Sequence, residues 1–307
     1  MNKLILKEVN FSIIIPTRKR ISELSTCLDK LVIQLNANDE IIVSEDDETL
    51  ESQIFLKKKY PNVKWLAGPC KGPAANRNNG AKIAINDYLI FLDDDCIPNA
   101  NIISNYRSYV QKNPDIDAVE GCIKPEGKNN SLAAECPINE VGGCFWSCNV
   151  LFKKKSFESL TGFDEDFPFP GMEDPEIYYR MRSLGMLVPF LAEAFVMHPW
   201  VIRKDKRSVF HHRLSLLIYL NKHFEETKRI GPLYFIRHAK NQLKALISGA
   251  IRGSKDKVFM LSKIIQSLRF SMILRNSGSI KKYVEESKPC CSGCSRAVDY
   301  LLLPRNK

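Results

Sequence analysis

The segment YLIFLDDD, residues 88–95, places three acidic residues directly after a short apolar run. The run is rich in aromatic and branched side chains, which predicts a buried strand that ends at Leu92. Side chains alternate along an extended chain, so Asp93 and Asp95 are expected on one side and Asp94 on the other. Two converging carboxylates suit a hard divalent cation such as Mg²⁺ or Mn²⁺, although acidic triplets also occur in solvated loops.

Two similar apolar runs precede this segment, at residues 11–15 and 41–43. Leucines at helical spacing predict a helix over residues 23–35, between these two runs. An alanine-rich stretch predicts a second helix over 74–85, with Pro73 suited to its first turn. This alternation of strands and helices predicts an α/β fold, in which a mostly parallel sheet carries helices on its faces.

Charged clusters follow all three predicted strands, at residues 17–20, 45–48 and 93–95. Ligands of parallel α/β sheets bind beyond the carboxyl ends of the strands. The sequence therefore predicts one binding site at that edge of the sheet, with acidic and basic side chains next to each other.

A second acidic pair, Glu173 and Asp174, stands at the start of another predicted helix. Pro175 fits the first turn of this helix and Asp174 fits its N-cap, while Gly185 fits its C-terminal end. Asp174 can therefore be a capping residue and nothing more. A carboxylate in a cleft can also act as a general base, and the two roles are compatible.

Together these motifs resemble those of family 2 glycosyltransferases with the GT-A fold. The resemblance covers residues 10–200 and rests on segments in the family's order: SIIIPT at 12–17, EIIV at 40–43, GPAANRNNG at 72–80, FLDDD at 91–95, and LTGFDEDF at 160–167 followed by Glu173 and Asp174. It implies a Rossmann-like, mostly parallel mixed sheet flanked by helices, and an activity in sugar transfer.

The chain departs from the family pattern in the segments that would hold the nucleotide. Arg18 and Lys19 stand where the family often has Tyr-Asn, and residues 45–48 replace a common Asp-Asp-Gly-Ser sequence. Asn76 precedes Arg77 where the family has alanine. These departures concern the base and the sugar of the donor rather than the fold.

The resemblance implies a site for a nucleotide sugar, with UDP as the favoured nucleotide, and a bound Mn²⁺ or Mg²⁺. The residues that it places at the donor are Pro16, Thr17, Arg18, Glu45, Asp46, Arg77, Asp93, Asp94 and Trp146. The residues that it places at the metal are Asp93, Asp95 and His198. Two of them have structural alternatives: His198 can be a satisfied structural histidine, and Trp146 can be a buried core residue.

The resemblance also implies that Asp174 is the catalytic base of an inverting transfer. Asp174 would take the proton of an acceptor hydroxyl as that oxygen attacks the anomeric carbon. The metal would offset the charge that grows on the departing nucleoside diphosphate. Glu173 is the rival for the role of base.

Basic residues are concentrated in the last third of the chain. Residues 201–307 contain 23 Lys and Arg against 7 Asp and Glu, whereas residues 1–200 contain 22 against 28. We expect a GT-A domain over 1–204, a basic helical extension over 205–285 and a cysteine-containing tail over 286–307. Apolar spacing within the extension predicts helices over 208–224, 233–251 and 258–274.

This excess of basic residues indicates docking on a polyanion, and a solvated helical surface explains it equally well. Docking would place the protein at the cytoplasmic face of the membrane, where anionic lipid binds the extension and a lipid-linked or glycan acceptor is near. A chain start without a recognisable signal peptide also fits a cytoplasmic location. Nucleic acid is a less expected partner, because aromatic residues such as Phe210 and Tyr219 have the spacing of a helical core.

Two rival functions remain at this point. A sugar-phosphate nucleotidyltransferase would need a glycine-rich phosphate loop near the N-terminus, and the basic cluster at 18–20 contains no glycine. A protein that binds a polyanion without catalysis is the other rival.

The ten cysteines among 307 residues are too few for a disulfide-built scaffold. Cys290, Cys291 and Cys294 crowd together in the tail, but no histidine lies near them. A tetrahedral zinc site would need a fourth, distant ligand. Structural zinc therefore stays open, with free thiols as the simpler interpretation.

Overall fold

The computed structural model describes residues 8–129, 134–202 and 206–223, together with residues 240 and 243. Most of the predicted basic extension lies outside these residues, including its predicted helix over 258–274 and all of the one over 233–251 except residues 240 and 243. The predicted tail, with Cys290, Cys291 and Cys294, also lies outside them.

The chain divides into two compact units. The first unit comprises Met1–Gly127, Cys136–Glu165 and Glu173–Pro199. The second unit comprises Lys128–Glu135, Asp166–Met172 and Trp200–Lys307. The expected domain limits at residues 204 and 285 stay predictions.

The strands are β1 (Phe11–Thr17), β2 (Glu40–Glu45), β3 (Lys64–Ala67), β4 (Tyr88–Leu92), β5 (Ile97–Pro98), β6 (Ala118–Pro125), β7 (Ala134–Glu135), β8 (Asn149–Lys153), β9 (Phe190–His198) and β10 (Val201–Ile202). The α-helices are α1 (Ile21–Leu31), α2 (Glu51–Lys59), α3 (Pro73–Ile83), α4 (Ile102–Lys112), α5 (Lys154–Ser159), α6 (Glu173–Ser183) and α7 (Lys206–Lys222). A 3₁₀ helix, Val32–Gln34, follows α1.

Eight strands of the first unit form one sheet in the order β3-β2-β1-β4-β8-β6-β9-β5. The first four of these strands run parallel to one another. β8 is antiparallel to both of its neighbours, β6 and β9 are parallel, and β5 is antiparallel to β9. The prediction of an α/β fold with a mostly parallel, mixed sheet is confirmed.

All three predicted strands are present, and β4 has the predicted bounds. β1 continues through Pro16 to Thr17, and β2 ends at Glu45. The predicted helices correspond to α1 and α3, although α1 begins earlier, at Ile21, and passes into the 3₁₀ turn after Leu31.

The sheet is covered on both faces, as its two apolar cores show. β1 contributes Ile13 and Ile15 to a core shared with α1 and α4, and Ile14 to a core shared with α3, α5 and α6. All three isoleucines have no exposed surface. Burying such a side chain contributes about 1.5–3 kcal/mol, so β1 is a major source of stability and a rigid support for the charged cluster at its carboxyl end.

The second unit contains a two-stranded antiparallel ladder of β7 and β10, and the helix α7. The predicted helix over 208–224 is thereby confirmed. The ring of His211 on this helix stacks on Phe169 with centroids 3.7 Å apart, and Ser215 Oγ donates to the Phe169 carbonyl. Within the described part of the chain, no helix is long and apolar enough to span a bilayer.

Candidate active site

The acidic segment after β4 is a turn. The chain leaves the strand at Leu92, and the Cys96 N–H donates to the Asp93 carbonyl at 3.2 Å. The expectation that Asp93 and Asp95 share one side of an extended segment is therefore wrong, because the backbone turns within the triplet. Each of the three carboxylates meets a different set of partners.

Asp94 is the buried member of the triplet, with no exposed surface. Its Oδ2 accepts a hydrogen bond from Thr17 Oγ1 at 2.7 Å, and its Oδ1 lies 2.8 Å from an Arg20 guanidinium nitrogen. Burial raises the pKa of Asp94 to about 7, although Arg20 and Thr17 oppose the rise. Asp94 ties the end of β1 to the turn, and its predicted contact with the donor stays a prediction.

Asp95 lies beside two possible metal ligands. Single donor atoms of Asp95, Cys96 and His198 lie within 4.8 Å of one another. Asp95 Oδ2 pairs with Arg20 at 2.6 Å, while Oδ1 lies 3.4 Å from His198 Nε2 and accepts no hydrogen bond from a described residue.

The side chain of His198 is arranged to offer a lone pair. Its Nδ1 lies 2.9 Å from the Pro199 carbonyl, which can only accept, so Nδ1 carries the proton. In the neutral ring Nε2 then faces Asp95 as an acceptor, the arrangement of a metal-binding histidine. A carboxylate suits Mn²⁺ or Mg²⁺, and an added imidazole suits a transition metal better than Mg²⁺, so these residues fit Mn²⁺ better than Mg²⁺.

Cys96 completes this group, although nothing in the sequence pattern singled it out. A hydrogen bond with Cys148 lowers the pKa of its thiol, but burial and the charge of Asp93 outweigh this and raise it. The thiol form is a weak ligand for a hard cation. Asp95 and His198 are therefore the better donors.

Arg77 joins the acidic turn to the second acidic pair. This residue of α3 is 4% exposed, and its guanidinium lies 2.7 Å from Asp93 Oδ1 and 3.4 Å from Glu173 Oε1. Burial alone would raise the pKa of Asp93, but the charge and hydrogen bond of Arg77 lower it. Arg77 faces acids of the protein, and its predicted contact with the nucleotide stays a prediction.

Asp174 occupies the first turn of α6, which begins at Glu173. The predicted N-cap role is wrong, because the helix starts one residue earlier, whereas Gly185 ends the helix as expected, with a positive φ of 67°. Asp174 Oδ2 accepts the Ser147 N–H at 3.0 Å, and Oδ1 accepts no hydrogen bond within the described residues. Burial raises the pKa of Asp174, although Arg77 and Ser147 oppose the rise.

Residues at the ends of β1 and β2 form the other side of the site. Asp46 is 5% exposed, its Oδ2 accepts the Gly72 N–H at 3.0 Å, and its Oδ1 has no donor in the described chain. Glu45 accepts the Lys19 N–H at 3.0 Å. Pro16 and Thr17 are buried, and Arg18 is exposed. One acceptor oxygen of Asp46 is therefore buried without a hydrogen bond from a described residue.

Comparison with known proteins identifies two family models that match this chain. Residues 12–160 match the model of glycosyl transferase family 2, and residues 134–199 match a model described as the N-terminal domain of galactosyltransferase. The segment 12–160, just under half of the chain, therefore matches a family 2 glycosyltransferase domain. The matched segments include the acidic turn and the end of β9, which carries His198.

Curated relatives of this glycosyltransferase domain are distant. An uncharacterized glycosyltransferase of Rickettsia conorii is 31% identical over 115 residues, which cover 37% of this chain and 19% of the relative. The validoxylamine A glucosyltransferase of Streptomyces hygroscopicus subsp. jinggangensis is 24% identical over 255 residues, 69% of this chain and 60% of the relative. The chain thus spans between a fifth and three fifths of these relatives.

Solved structures show the fold of the glycosyltransferase domain. The mannosyltransferase PcManGT of Pyrobaculum calidifontis, solved in complex with GDP-Man and Mn²⁺, has a TM-score of 0.55 at 17% identity. The match covers 91% of this chain and 88% of that one. This similarity identifies the sheet and its helices as the GT-A fold.

Trp146 of the glycosyltransferase domain is partly buried and packs against the core that includes Ile13 and Ile15. Its indole Nε1 has no acceptor among the described residues. This packing agrees with the structural alternative, and the stacking of Trp146 on a sugar stays a prediction.

Arg20 and Glu120 contact segments of the candidate site, and sequence reasoning missed both of them. Arg20 stood in the basic cluster after β1, but only the turn shows that it bridges Asp94 and Asp95. Glu120 is 2% exposed in the middle of β6. A carboxylate inside an apolar run was the one signal that could have found it.

A cavity of about 1080 Å³ lies at the opposite, amino-terminal edge of the sheet, beside Asn10, Asp39 and Asn86. None of the predicted site residues lines it. The volume of a cavity therefore does not mark the edge of the sheet at which the predicted site residues lie.

Proposed function

We propose that this protein transfers a sugar from a nucleoside diphosphate sugar to a hydroxyl group of a glycan or lipid-linked acceptor, with inversion and with a divalent metal. The position of Arg77 carries the proposal. Its guanidinium contacts Asp93 of the acidic turn and Glu173, the neighbour of Asp174. This shared contact supports one site that contains both the acidic turn after β4 and the proposed base, Asp174.

Asp95, His198 and Asp93 are the proposed ligands of Mn²⁺ or Mg²⁺. Asp95 Oδ1 lacks a hydrogen-bond donor within the described chain and lies 3.4 Å from His198 Nε2, and the other ring nitrogen of His198 lies beside the Pro199 carbonyl. When bound, the metal would offset negative charge on the departing diphosphate.

The ends of β1 and β2 are the proposed site of the nucleoside. A base carries N–H groups, and Asp46 Oδ1 is an acceptor that no described residue uses. UDP is the proposed nucleotide, with Pro16, Thr17, Arg18 and Glu45 around it. GDP presents similar N–H donors, so the screen of UDP- and GDP-sugars described below is needed to distinguish the two nucleotides.

Asp174 is the proposed base of a single displacement. Its Oδ1 would take the proton of the acceptor hydroxyl while the acceptor oxygen bonds to the anomeric carbon. The bond from that carbon to the diphosphate oxygen breaks in the same step, and the electron pair leaves with the nucleoside diphosphate. Attack opposite the leaving group inverts the anomeric configuration.

The contacts of the two candidate bases favour Asp174 over Glu173. Glu173 is 3% exposed, and its Oε1 lies near Arg77. Asp174 keeps one oxygen without a hydrogen bond from a described residue, and burial raises its pKa, so it binds a proton more strongly than an ordinary aspartate.

The proposed place of action is the cytoplasmic face of a membrane. The basic excess of residues 201–307 would bind anionic lipid and bring a lipid-linked or surface-glycan acceptor to the site, as in polysaccharide biosynthesis. Sedimentation with phosphatidylglycerol vesicles should deplete the protein from solution, and phosphatidylcholine vesicles should not. Equal sedimentation with both lipids would contradict this placement.

A screen of UDP- and GDP-sugars for Mn²⁺-dependent release of nucleoside diphosphate tests the reaction. We expect Asp95→Ala to abolish metal-dependent donor binding in calorimetry, and Asp174→Asn to bind donor normally and to stop transfer. Asp115→Asn is the matched control, because Asp115 is exposed on the surface of the same unit. Equal loss of donor binding in Asp95→Ala and Asp174→Asn would show that Asp174 is not the base.

A further inference from the structure

Glu120 is a buried carboxylate in the middle of β6. Its Oε2 accepts the Gly143 N–H at 2.7 Å, and its Oε1 accepts the Cys144 N–H at 2.7 Å and also the Phe145 N–H. The Asn139 amide donates to the same carboxylate at 2.7 Å. Three consecutive backbone N–H groups thus converge on one anion, as they do in anion-binding nests.

The loop that surrounds Glu120 has an unusual backbone. Gly142 and Gly143 have positive φ values of 84° and 93°, which glycine adopts readily. Phe145 has a φ of 52°, a conformation that costs a bulky residue free energy. Glu120 accepts the Phe145 N–H and the N–H groups of the two residues before it, so its carboxylate offsets that cost.

The same loop makes two contacts with α6. The ring of Phe145 stacks on Tyr178 with centroids 5.3 Å apart and planes 9° from parallel. Two residues further along, the Ser147 N–H donates to Asp174 Oδ2 at 3.0 Å. The geometry of this loop therefore determines which oxygen of Asp174 accepts a hydrogen bond and which is left without one among the described residues.

We infer that Glu120 is a positioning residue for transfer: it holds the loop 142–147 so that the Ser147 N–H orients the Asp174 carboxylate. The inference rests on the proposed function, because it takes Asp174 as the base. Glu120 itself touches neither substrate nor metal in this scheme.

Glu120→Gln tests the inference, because an amide nitrogen cannot accept the N–H groups that a carboxylate oxygen accepts. Glu140→Gln is the matched control, since Glu140 is exposed in the same loop region. Two readouts are used on the full chain: backbone hydrogen exchange over 143–147 without substrate, and kcat for transfer together with the Kd for UDP and Mn²⁺.

We expect faster exchange over 143–147 in Glu120→Gln and a kcat about tenfold lower, the effect of one lost hydrogen bond to a charged group. The Kd for UDP should change less than twofold. Glu120→Asp retains the negative charge on a shorter side chain. It should therefore restore part of the slow exchange over 143–147 and part of kcat. If Glu120→Gln does not fold, Glu120→Asp carries the test, with intermediate exchange and kcat expected.

The inference would be overturned if Glu120→Gln showed the same exchange over 143–147 as the control Glu140→Gln. It would also be overturned if kcat and UDP binding fell in parallel in Glu120→Gln. Failure of the proposed function has a different signature: the wild type would show no transfer, or Asp174→Asn would keep it. Exchange is measured without substrate, so faster exchange would still support the hold of Glu120 on the loop.

Discussion

Replacing Arg77 by methionine tests how strongly the buried acids of the site depend on one cation. Methionine keeps an apolar chain of similar length and removes the guanidinium that contacts Asp93 and Glu173. Arg77 is 4% exposed, so solvent does not replace it. Removing one partner of a buried pair costs about 3–5 kcal/mol, a large part of a total stability of about 5–15 kcal/mol.

The assay is thermal unfolding followed by circular dichroism, with and without Mn²⁺. Each kcal/mol lowers Tm by about 2–4 °C in a domain of this size, so Arg77→Met should lower Tm by about 6–20 °C. Mn²⁺ should raise the Tm of Arg77→Met more than that of the wild type, because the cation supplies positive charge near Asp93. Arg182→Met is the control, since Arg182 is exposed and only lies 5.8 Å from the Tyr178 ring.

Two results would refute this reasoning. A decrease in Tm for Arg77→Met that is no larger than the decrease for Arg182→Met would show that the guanidinium adds nothing to the stability of the site. An equal rise in Tm on addition of Mn²⁺ in wild type and Arg77→Met would show that the charge of Arg77 does not act on the proposed metal ligands.

Three further predictions concern the base, the metal and the packing of α3. With saturating substrates, kcat should fall on the acid side at a pH above the pKa of an ordinary aspartate, because burial raises the pKa of Asp174 and a base acts only when deprotonated. An acid limb at about pH 4 or below would contradict this. His198→Gln should weaken Mn²⁺ binding about tenfold or more in calorimetry, and unchanged binding would exclude His198 as a ligand. Gly80→Ala should cost about 1–3 kcal/mol in urea unfolding, because its Cβ would lie 2.6 Å from Ile14 Cγ2; a loss within error would mean that α3 shifts freely on β1.

The parts of the site that the sequence predicts are those with a local signal. β1, β2 and β4 are short runs of buried apolar residues, and parallel pairing brings their carboxyl ends to one edge. The clusters that begin at Thr17, Glu45 and Asp93 therefore meet without further information. The sign and position of these charges were enough to predict a ligand site there.

The parts that the sequence missed depend on contacts between distant residues. Glu120 interrupts an apolar run, and its partners Gly143 to Phe145 come more than twenty positions later, so spacing cannot reveal them. Alternation failed for the acidic triplet because it assumes an extended chain, whereas a hydrogen bond from Cys96 closes a turn. The N-cap assignment of Asp174 failed by one residue, which is the usual uncertainty at a helix end.

The nearness of the Cys96 sulfur to Asp95 and His198 has a consequence for inhibition. Mn²⁺ and Mg²⁺ make little use of a thiol, but Cd²⁺ and Zn²⁺ bind sulfur and imidazole together and release the thiol proton. The proposed site for a hard ion thus contains a ready ligand for soft ones. Trace heavy metals in a buffer would compete for this glycosyltransferase domain even when manganese is in excess.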